Sequence, residues 1–463
     1  MIWFIGAGCF HPDMLTLGAK KILETCDCIL YDHLVNKEFL QYAKNDCECI
    51  CVGKRGHQHS FPQEDIFSLL VEKDNEYAQV VRLKGGDPFL FARGSEEMRY
   101  VLEHGCNCQY IPGISSAIGA LGFAGIPVTQ RNTSTGFVVH TMHFQDGKDH
   151  LDYDAIAREK NTQIFFMGSH KIKELAQNCM DHGMPKDTPI ALGSHLTYPS
   201  QKVLTSTLEE ILQEDITPYT APLLIVLGEV ARNQEFFDNT KRLSCFSKKA
   251  LFCTIDEERF PIEDLTLNKG IYTYHRQVGH IEYTSSHDLL LDDHDILIFS
   301  SKHAVTGFFQ YLNRKQIDIR SLSDKKIFCI GKKTEDALCQ RGLIVDHMED
   351  HRNAMFASID SKSRCLYIKE ESVSCPLPSF SCYRIVANDF SLPEESMDAL
   401  CVTSPKTLEI LCAHGIDRKI DLFCFDHRSK EKAIDLGFQN IHPCPSSKEA
   451  LIARMVEFFE ESL

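Results

Sequence analysis

The sequence predicts an α/β protein built as two unlike halves. Three observations lead there: short apolar runs alternate with longer helix-spaced stretches, glycine-bearing turns follow several of those runs, and the alternation restarts after a polar interval across Ala231–Lys249. At 463 residues the chain is too long for one ordinary core, and its 43% hydrophobic and 25% charged content places it among globular proteins.

The elements follow in order. Met1–Ile5 has no basic flank and runs straight into a turn, so it reads as a first strand and not as a signal peptide. Ile2–Ile5, Cys28–Tyr31, Gln79–Leu83 and Phe137–Thr141 read as strands, and Leu15–Leu23, Gln63–Val71 and Glu96–Glu103 as the helices between them. Gln163–Met167, Pro189–Leu192 and Leu223–Leu227 continue the strands, with a helix over Lys171–Asp181. No further strand is expected until Leu251–Thr254. The predicted division is therefore 1–235, a linker over 236–248, and 249–463.

The second half contains an internal repeat. Asp295–Val305 is similar to Asp398–Leu408, and Ile327–Leu338 to Asp421–Ala433. Each unit reads as a buried strand, then hydroxyl or glycine residues, then a helix. Hydroxyls capping a helix N-terminus beside free backbone N–H groups suit an anion, and the doubling predicts a carboxylate-binding cleft.

Composition excludes several classes. The net charge of −16 argues against bulk nucleic-acid binding, and it disfavours an anionic substrate unless basic residues gather locally. No run reaches the roughly 18 apolar residues of a membrane span, which predicts a cytoplasmic protein. The 20 cysteines are scattered without paired CxxC knuckles, so they read as small buried hydrophobes in a reducing compartment, with no metal site expected. Cys47, Cys49 and Cys51 share one face of a strand.

The densest chemical signal is Val80–Glu97. A short apolar strand ends in Gly85-Gly86, where the missing side chains let backbone approach a ligand, and Asp87-Pro88 fixes the exit. No Gly-Lys-Ser/Thr follows, so phosphate is not the natural ligand. Gly53–Asp65 lies upstream, and Ile111–Ser116 and Gly125–Arg131 downstream.

In this order and spacing the four motifs resemble the tetrapyrrole (precorrin) methylases, most closely those acting on uroporphyrinogen III. Ile164–Gly168 and Leu227–Val230 extend the resemblance, which covers roughly the first half of the chain. It implies a two-lobed methylase fold, S-adenosyl-L-methionine as cofactor, a tetrapyrrole substrate bearing carboxylates, and a homodimer through this half. It also implies a proton acceptor at Asp32 and a proton donor at Lys54. Cofactor contacts would fall on Cys9, Gly85, Gly86, Asp87, Leu90, Ser115, Ser116, Met167 and Leu196. Arg55, Arg93 and Arg131 are candidates for substrate carboxylates, which guanidinium groups pair bidentately. The chain begins at the methylase's first strand, so the dehydrogenase/ferrochelatase module sometimes fused ahead of it is expected to be absent. Relatives that methylate another precorrin, diphthamide or ribosomal RNA are the competing enzymes, and the acidic balance counts against RNA.

The first loop departs from the family, with Cys9-Phe10-His11 where Pro-Gly-Asp is usual. His33 stands for an arginine and Gln130 for a histidine; Met142 interrupts the motif before His143, and Leu196 replaces a glycine. These changes are expected to bear on cofactor binding or substrate choice.

The second half resembles uroporphyrinogen-III synthase, implying a two-lobed α/β domain that cyclises hydroxymethylbilane. Its matched positions are Ser300, Ser301, Lys302, Gly331, Lys332, Thr334, Thr403, Ser404 and Ser429. Asp426 replaces a glycine, and Ala387 falls where a tyrosine is usual, Tyr383 lying out of register. A half that binds tetrapyrrole without converting it is the competing reading.

Overall fold

Largely apolar runs supply the central strands of the first sheet of the computed structural model. β1 (Ile2–Gly6), β2 (Cys28–Tyr31), β3 (Glu48–Cys51), β4 (Val80–Lys84) and β5 (Cys108–Ile111) lie in the order β3-β2-β4-β1-β5. All its pairings are parallel, so ligand-binding loops are expected at the strands' C-terminal ends. The structure describes the chain except residues 45, 54–61, 145, 256–259, 263–264, 286–287, 290, 361 and 463, and the side chains of 426 and 427.

A second sheet follows, of β6 (Phe137–Thr141), β7 (Thr162–Phe166), β8 (Pro189–Ser194), β9 (Lys202–Thr207) and β10 (Leu223–Leu227), ordered β6-β7-β10-β8-β9. Here β6 and β7 are parallel and the other pairings antiparallel. Helix Leu17–Leu23 starts where the Thr16 hydroxyl accepts from the Ala19 N–H, and helix Ile172–Asp181 buries Ile172, Leu175, Ala176 and Cys179.

The remaining strands are β11 (Lys249–Thr254), β12 (Tyr272–Gln277), β13 (Gly279–Glu282), β14 (Ile296–Phe299), β15 (Lys326–Ile330), β16 (His347–Glu349), β17 (Cys365–Glu370), β18 (Ser379–Ala387), β19 (Ala399–Val402), β20 (Asp421–Phe425) and β21 (Asn440–Cys444). They build two sheets, ordered β12-β11-β19-β20-β21 and β13-β18-β17-β14-β15-β16. The internal repeat takes physical form here. β14 leads through helix Lys302–Arg314 to its parallel neighbour β15, and β19 leads through helix Pro405–Ala413 to its parallel neighbour β20.

The chain divides into two compact units, one of Met1–Ala250, Pro261–Tyr274 and Met455–Leu463, the other of Leu251–Phe260 and His275–Arg454. Packing is seen within the segment read as the linker. Cys245 is fully buried, its N–H donates to the Lys269 carbonyl at 2.8 Å, and Leu243 and Phe246 close on Gly270.

Three loops of the first unit meet backbone to backbone. A Cβ on Gly6 would overlap the Gly113 backbone, and one on Gly113 would overlap the Gly86 carbonyl. Gly113→Ala should therefore lower the stability of this unit by about 2–3 kcal/mol. Gly122→Ala, with open space at its Cβ inside helix Gly119–Phe123, should be neutral or gain up to about 1 kcal/mol. Chemical denaturation of the two variants checks both.

Candidate functional site

The expected cofactor loop leaves β4 at Gly85-Gly86. Gly86 exchanges two backbone hydrogen bonds with Gly8, 3.2 Å and 2.7 Å, which ties the loop after β4 to the loop after β1. Its φ of +67° favours glycine, and nothing lies within 4 Å of where a Cβ would stand, leaving an open backbone cradle. Asp87 supports this cradle from behind. Its carboxylate accepts from the Phe89 N–H at 2.8 Å, the Gly113 N–H at 3.0 Å and the Tyr110 hydroxyl at 2.6 Å. The third loop turns at Ser115, whose hydroxyl accepts from the Ala117 N–H, while the Ser116 carbonyl accepts from the Leu121 N–H.

One buried cluster gathers these loops. Cys9, Ala117, Ala120, Leu121, Leu196 and Leu224 are packed together, with Leu90 and Phe166 against them. Residues expected beside the cofactor from both sheets of the unit thus meet: Cys9 and Leu196 inside the cluster, Leu90 at its edge, Ser116 and Met167 adjacent in sequence to Ala117 and Phe166. Met167 is 49% exposed at φ +58°. Phe10, Phe91, Arg93, His195 and Thr197 also hold positive φ in these loops. Each such non-glycine residue costs roughly 1–2 kcal/mol, and strain of this kind gathers at ligand sites.

Beneath the loops lies a charge cluster that the motif reading missed. Arg82 and Lys84, two apart on β4, project from one face and are only 1% and 2% exposed. Arg82 bridges two carboxylates, with Nη2 2.6 Å from Asp32 Oδ1 and Nε 2.9 Å from Glu97 Oε2. Lys84 Nζ lies 2.7 Å from Glu97 Oε1 and 3.5 Å from Asp32 Oδ2. Gln63 donates to Glu97 as well, at 2.9 Å. Asp32 follows β2, anchored by its N–H on the Leu83 carbonyl, and is the solvent-facing member at 29% exposure. Burial works against the Arg82 charge, yet Asp32 and Glu97 outweigh it and raise its pKa. Burial, reinforced by neighbouring Arg82, lowers that of Lys84. Two cations in the middle of an apolar strand were the legible signal, because such residues are buried only when paired.

The altered first loop is repacked around its new residues. Phe10 stacks on Tyr198 with ring centroids 3.5 Å apart, and the Asn36 side chain donates to the Phe10 carbonyl at 2.8 Å. The Thr197 hydroxyl donates to the Cys9 carbonyl, and the Cys9 thiol lies 3.0 Å from Met14 Sδ. Burial pushes that thiol up to about 12 and pulls His11 down to about 4. His11 is 2% exposed, packs on Phe123, and accepts from the Asp13 N–H through Nδ1.

Other expected residues stand apart. Lys54 and Arg55 lie outside the described residues. Arg93 is exposed and paired with Glu96 at 2.6 Å, and Arg131 is exposed in the turn closed by Gln130 and Ser134.

In the second unit the repeated serines cap their helices. Ser301 accepts from the Ala304 N–H at 3.1 Å and Ser404 from the Thr407 N–H at 3.2 Å. Beside Ser301 the Ser300 N–H donates to the Ile368 carbonyl, and the Tyr367 hydroxyl bonds the Ser300 side chain. The tyrosine judged out of register reaches this turn: the Tyr383 hydroxyl is 2.9 Å from Ser301 Oγ. Ala387, at the end of β18, is exposed and opposite Gly279. Lys302 begins the helix and Thr403 precedes Ser404, both half-buried. Gly331 takes φ +82° before helix Lys332–Cys339, and exposed Lys332 pairs with Glu335. The Thr334 hydroxyl is buried and donates to the Ile330 carbonyl, and Ser429 is fully buried in helix Asp426–Asp435. The Asp426 side chain lies outside the described part.

Two outcomes test this geometry. Arg82→Met leaves Glu97 buried with a single cation and should cost about 3–5 kcal/mol in denaturant unfolding of the first unit. His11 has a folded pKa of about 4 against an ordinary 6.5, so the unfolded chain takes the proton first as pH falls. Its contribution is complete above pH 6.5 and is lost between 6.5 and 4, by about 2 kcal/mol at pH 5. His11→Asn should flatten that part of the stability–pH curve.

Comparison with known proteins follows the same division. Residues 1–212 match the model of the tetrapyrrole (corrin/porphyrin) methylases, and residues 280–372 that of uroporphyrinogen-III synthase HemD. A siroheme synthase of Methylobacillus flagellatus is 39% identical over 236 residues, 50% of this chain and 50% of that protein. The chain thus spans about half the length of the siroheme synthases it matches. A solved uroporphyrin-III C-methyl transferase of Thermus thermophilus, complexed with S-adenyl homocysteine, is 31% identical and covers 50% of this chain and 98% of its own, with a TM-score of 0.44. The uroporphyrinogen-III C-methyltransferase of Bacillus subtilis is 32% identical over 353 residues, 74% of this chain and 72% of that protein. With a likeness of that extent laid over the loops just described, the chain belongs to the tetrapyrrole (corrin/porphyrin) methylase family.

Proposed function

We propose that the first unit methylates two pyrrole carbons of uroporphyrinogen III to give precorrin-2, using S-adenosyl-L-methionine, and that the second unit cyclises hydroxymethylbilane to uroporphyrinogen III. The observation that carries the reading is the convergence of Cys9, Leu90, Leu196 and the neighbours of Ser116 and Met167 on one cluster, beside the open backbone at Gly86. A site with bare backbone on one side and soft apolar side chains on another fits an adenosyl thioether. When bound, the sulfonium supplies an electrophilic methyl group.

Gly85, Gly86, Ser115, Ser116, Met167, Leu90, Cys9 and Leu196 would hold it, and Asp87 would act by fixing the loop. A pyrrole carbon that gains a methyl must lose a proton, and Asp32 Oδ2 is the acceptor in this reading. Arg82 holds the other oxygen, which orients the carboxylate towards solvent. Lys54 is the proposed donor, and Arg55, Arg93 and Arg131 the proposed carboxylate contacts. In the second unit, Ser301 with Tyr383 offers the hydroxyls to assist loss of water, and the helix N-termini at Ser301 and Ser404 suit carboxylates. Self-association through the first unit and a cytoplasmic location complete the proposal. Among the described residues no helix is long and apolar enough to cross a membrane.

The buried Thr334 and Ser429 favour a second reading, in which the second unit holds tetrapyrrole without converting it. Hydroxymethylbilane and S-adenosyl-L-methionine supplied together to the full chain separate the two. Wild type should form precorrin-2. Asp32→Ala should stop at uroporphyrinogen III with methyl transfer down about 100-fold or more. Tyr383→Phe should shift ring closure to the type-I isomer while supplied uroporphyrinogen III is still methylated. Type-I product from wild type would select the second reading, and no methylation of any tetrapyrrole would overturn the first.

A further inference from the structure

A group of thiols gathers at the N-terminal ends of β2 and β3, the ends away from the loops described above. Cys26 stands two residues before β2 and Cys47 one residue before β3, and their Sγ atoms are 3.9 Å apart. Cys49 follows two residues further on, within β3. Access is graded along the three: Cys26 is buried, Cys47 intermediate and Cys49 exposed. The parallel pairing of β2 with β3, Cys28 opposite Glu48, holds the two leading segments side by side.

The charges around the group differentiate the thiols. Lys44 favours a thiolate at Cys47 and Asp27 opposes it, the two being themselves ion-paired at 2.6 Å. The Cys26 thiol donates to the Leu23 carbonyl at 3.3 Å, and its contact with Cys47 lowers the Cys47 pKa while contact and burial raise that of Cys26. The half-accessible Cys47 sulfur is thus the one a peroxide can reach, with the buried Cys26 thiol behind it.

We propose that Cys47 is a site of reversible thiol oxidation by hydroperoxides, with Cys26 as the thiol that resolves it. In the first step the Cys47 sulfur attacks a peroxide oxygen. An S–O bond forms, the O–O bond breaks, the peroxide is reduced by two electrons, and the other oxygen leaves with a proton as water or alcohol. In the second step Cys26 Sγ attacks the Cys47 sulfur, the S–S bond forms, the S–O bond breaks, and water departs with the Cys26 proton. Closing 3.9 Å to the ~2.05 Å of a disulfide needs side-chain rotation of two groups already in contact. The product would clamp the start of β2 to the start of β3. The first strand delivers Asp32 at its far end, and the second runs on to the segment containing Lys54.

Thiol mapping on the full-length protein tests this. The reduced chain is treated with stoichiometric hydrogen peroxide, free thiols are alkylated, and peptides are identified by mass. The expected result is a Cys26–Cys47 cross-linked peptide that thiol reductant reverses, formed at least about 10-fold faster than oxidation of exposed Cys339. With Cys26→Ser, Cys47 should stop as a sulfenic acid that dimedone traps. Cys26 remaining free while Cys339 oxidises would overturn the proposal, as would a Cys47–Cys49 link or direct passage of Cys47 to the sulfinic acid. The wild-type map decides the matter even where a variant fails to fold.

Discussion

The first unit depends on one buried charge balance. Two cations on β4 could not be carried into the middle of a parallel sheet unless carboxylates met them there. Arg82 and Lys84 therefore dictate where Glu97 on helix Gly94–Glu103 must pack, and Gln63 brings helix Gln63–Glu76 to the same point. The arrangement places three of its four charged groups out of solvent and leaves Asp32 at the surface. A carboxylate in that position has a set orientation and an open face. It is both the last element of the internal balance and the one member of the four that faces solvent.

Above this balance, backbone contact sets the shape of the loops. Gly6 and Gly113 stand so close to each other and to the Gly86 carbonyl that a side chain on either would force the loops apart. Asp87 then spends its carboxylate on the neighbouring loop, so its part in the site is to hold the cradle. The first loop shows how far such a site tolerates substitution. Phe10 and His11 are larger than the residues usual there; Tyr198 stacks on Phe10, Phe123 packs on His11 and Met14 lies against the Cys9 thiol, while Thr197 and Asn36 hold the loop by its backbone carbonyls.

In the second unit the serines of the repeat satisfy helix N-termini on two sheets, which explains why the pattern recurs in sequence at all. The two turns differ in what surrounds them. The turn at Ser301 gains Tyr383 from β18 and has Tyr367 beside Ser300, whereas the Ser404 hydroxyl bonds Thr407 within its own helix start. The two tyrosine hydroxyls are therefore gathered at the first of the two repeats.

The sequence by itself determined the α/β alternation, most strands of the first half, the glycine turn after β4, and the repeated strand–serine–helix units, because each depends on local periodicity or on a residue's own backbone preference. Asp32, just past a strand, was marked through the resemblance to the methylase family. Only the tertiary structure decided which hydroxyls face outwards: Thr334 and Ser429 match a motif as well as Ser301 does, yet lie inside. It likewise decided that Tyr383 reaches Ser301, since β18 and β14 are separated in the sheet by β17 and their register cannot be read from either strand alone. The pairing of Arg82 and Lys84 with Asp32 and Glu97 belongs to the same class. A charge in an apolar run announces that a partner must exist, but long-range packing alone names the partner.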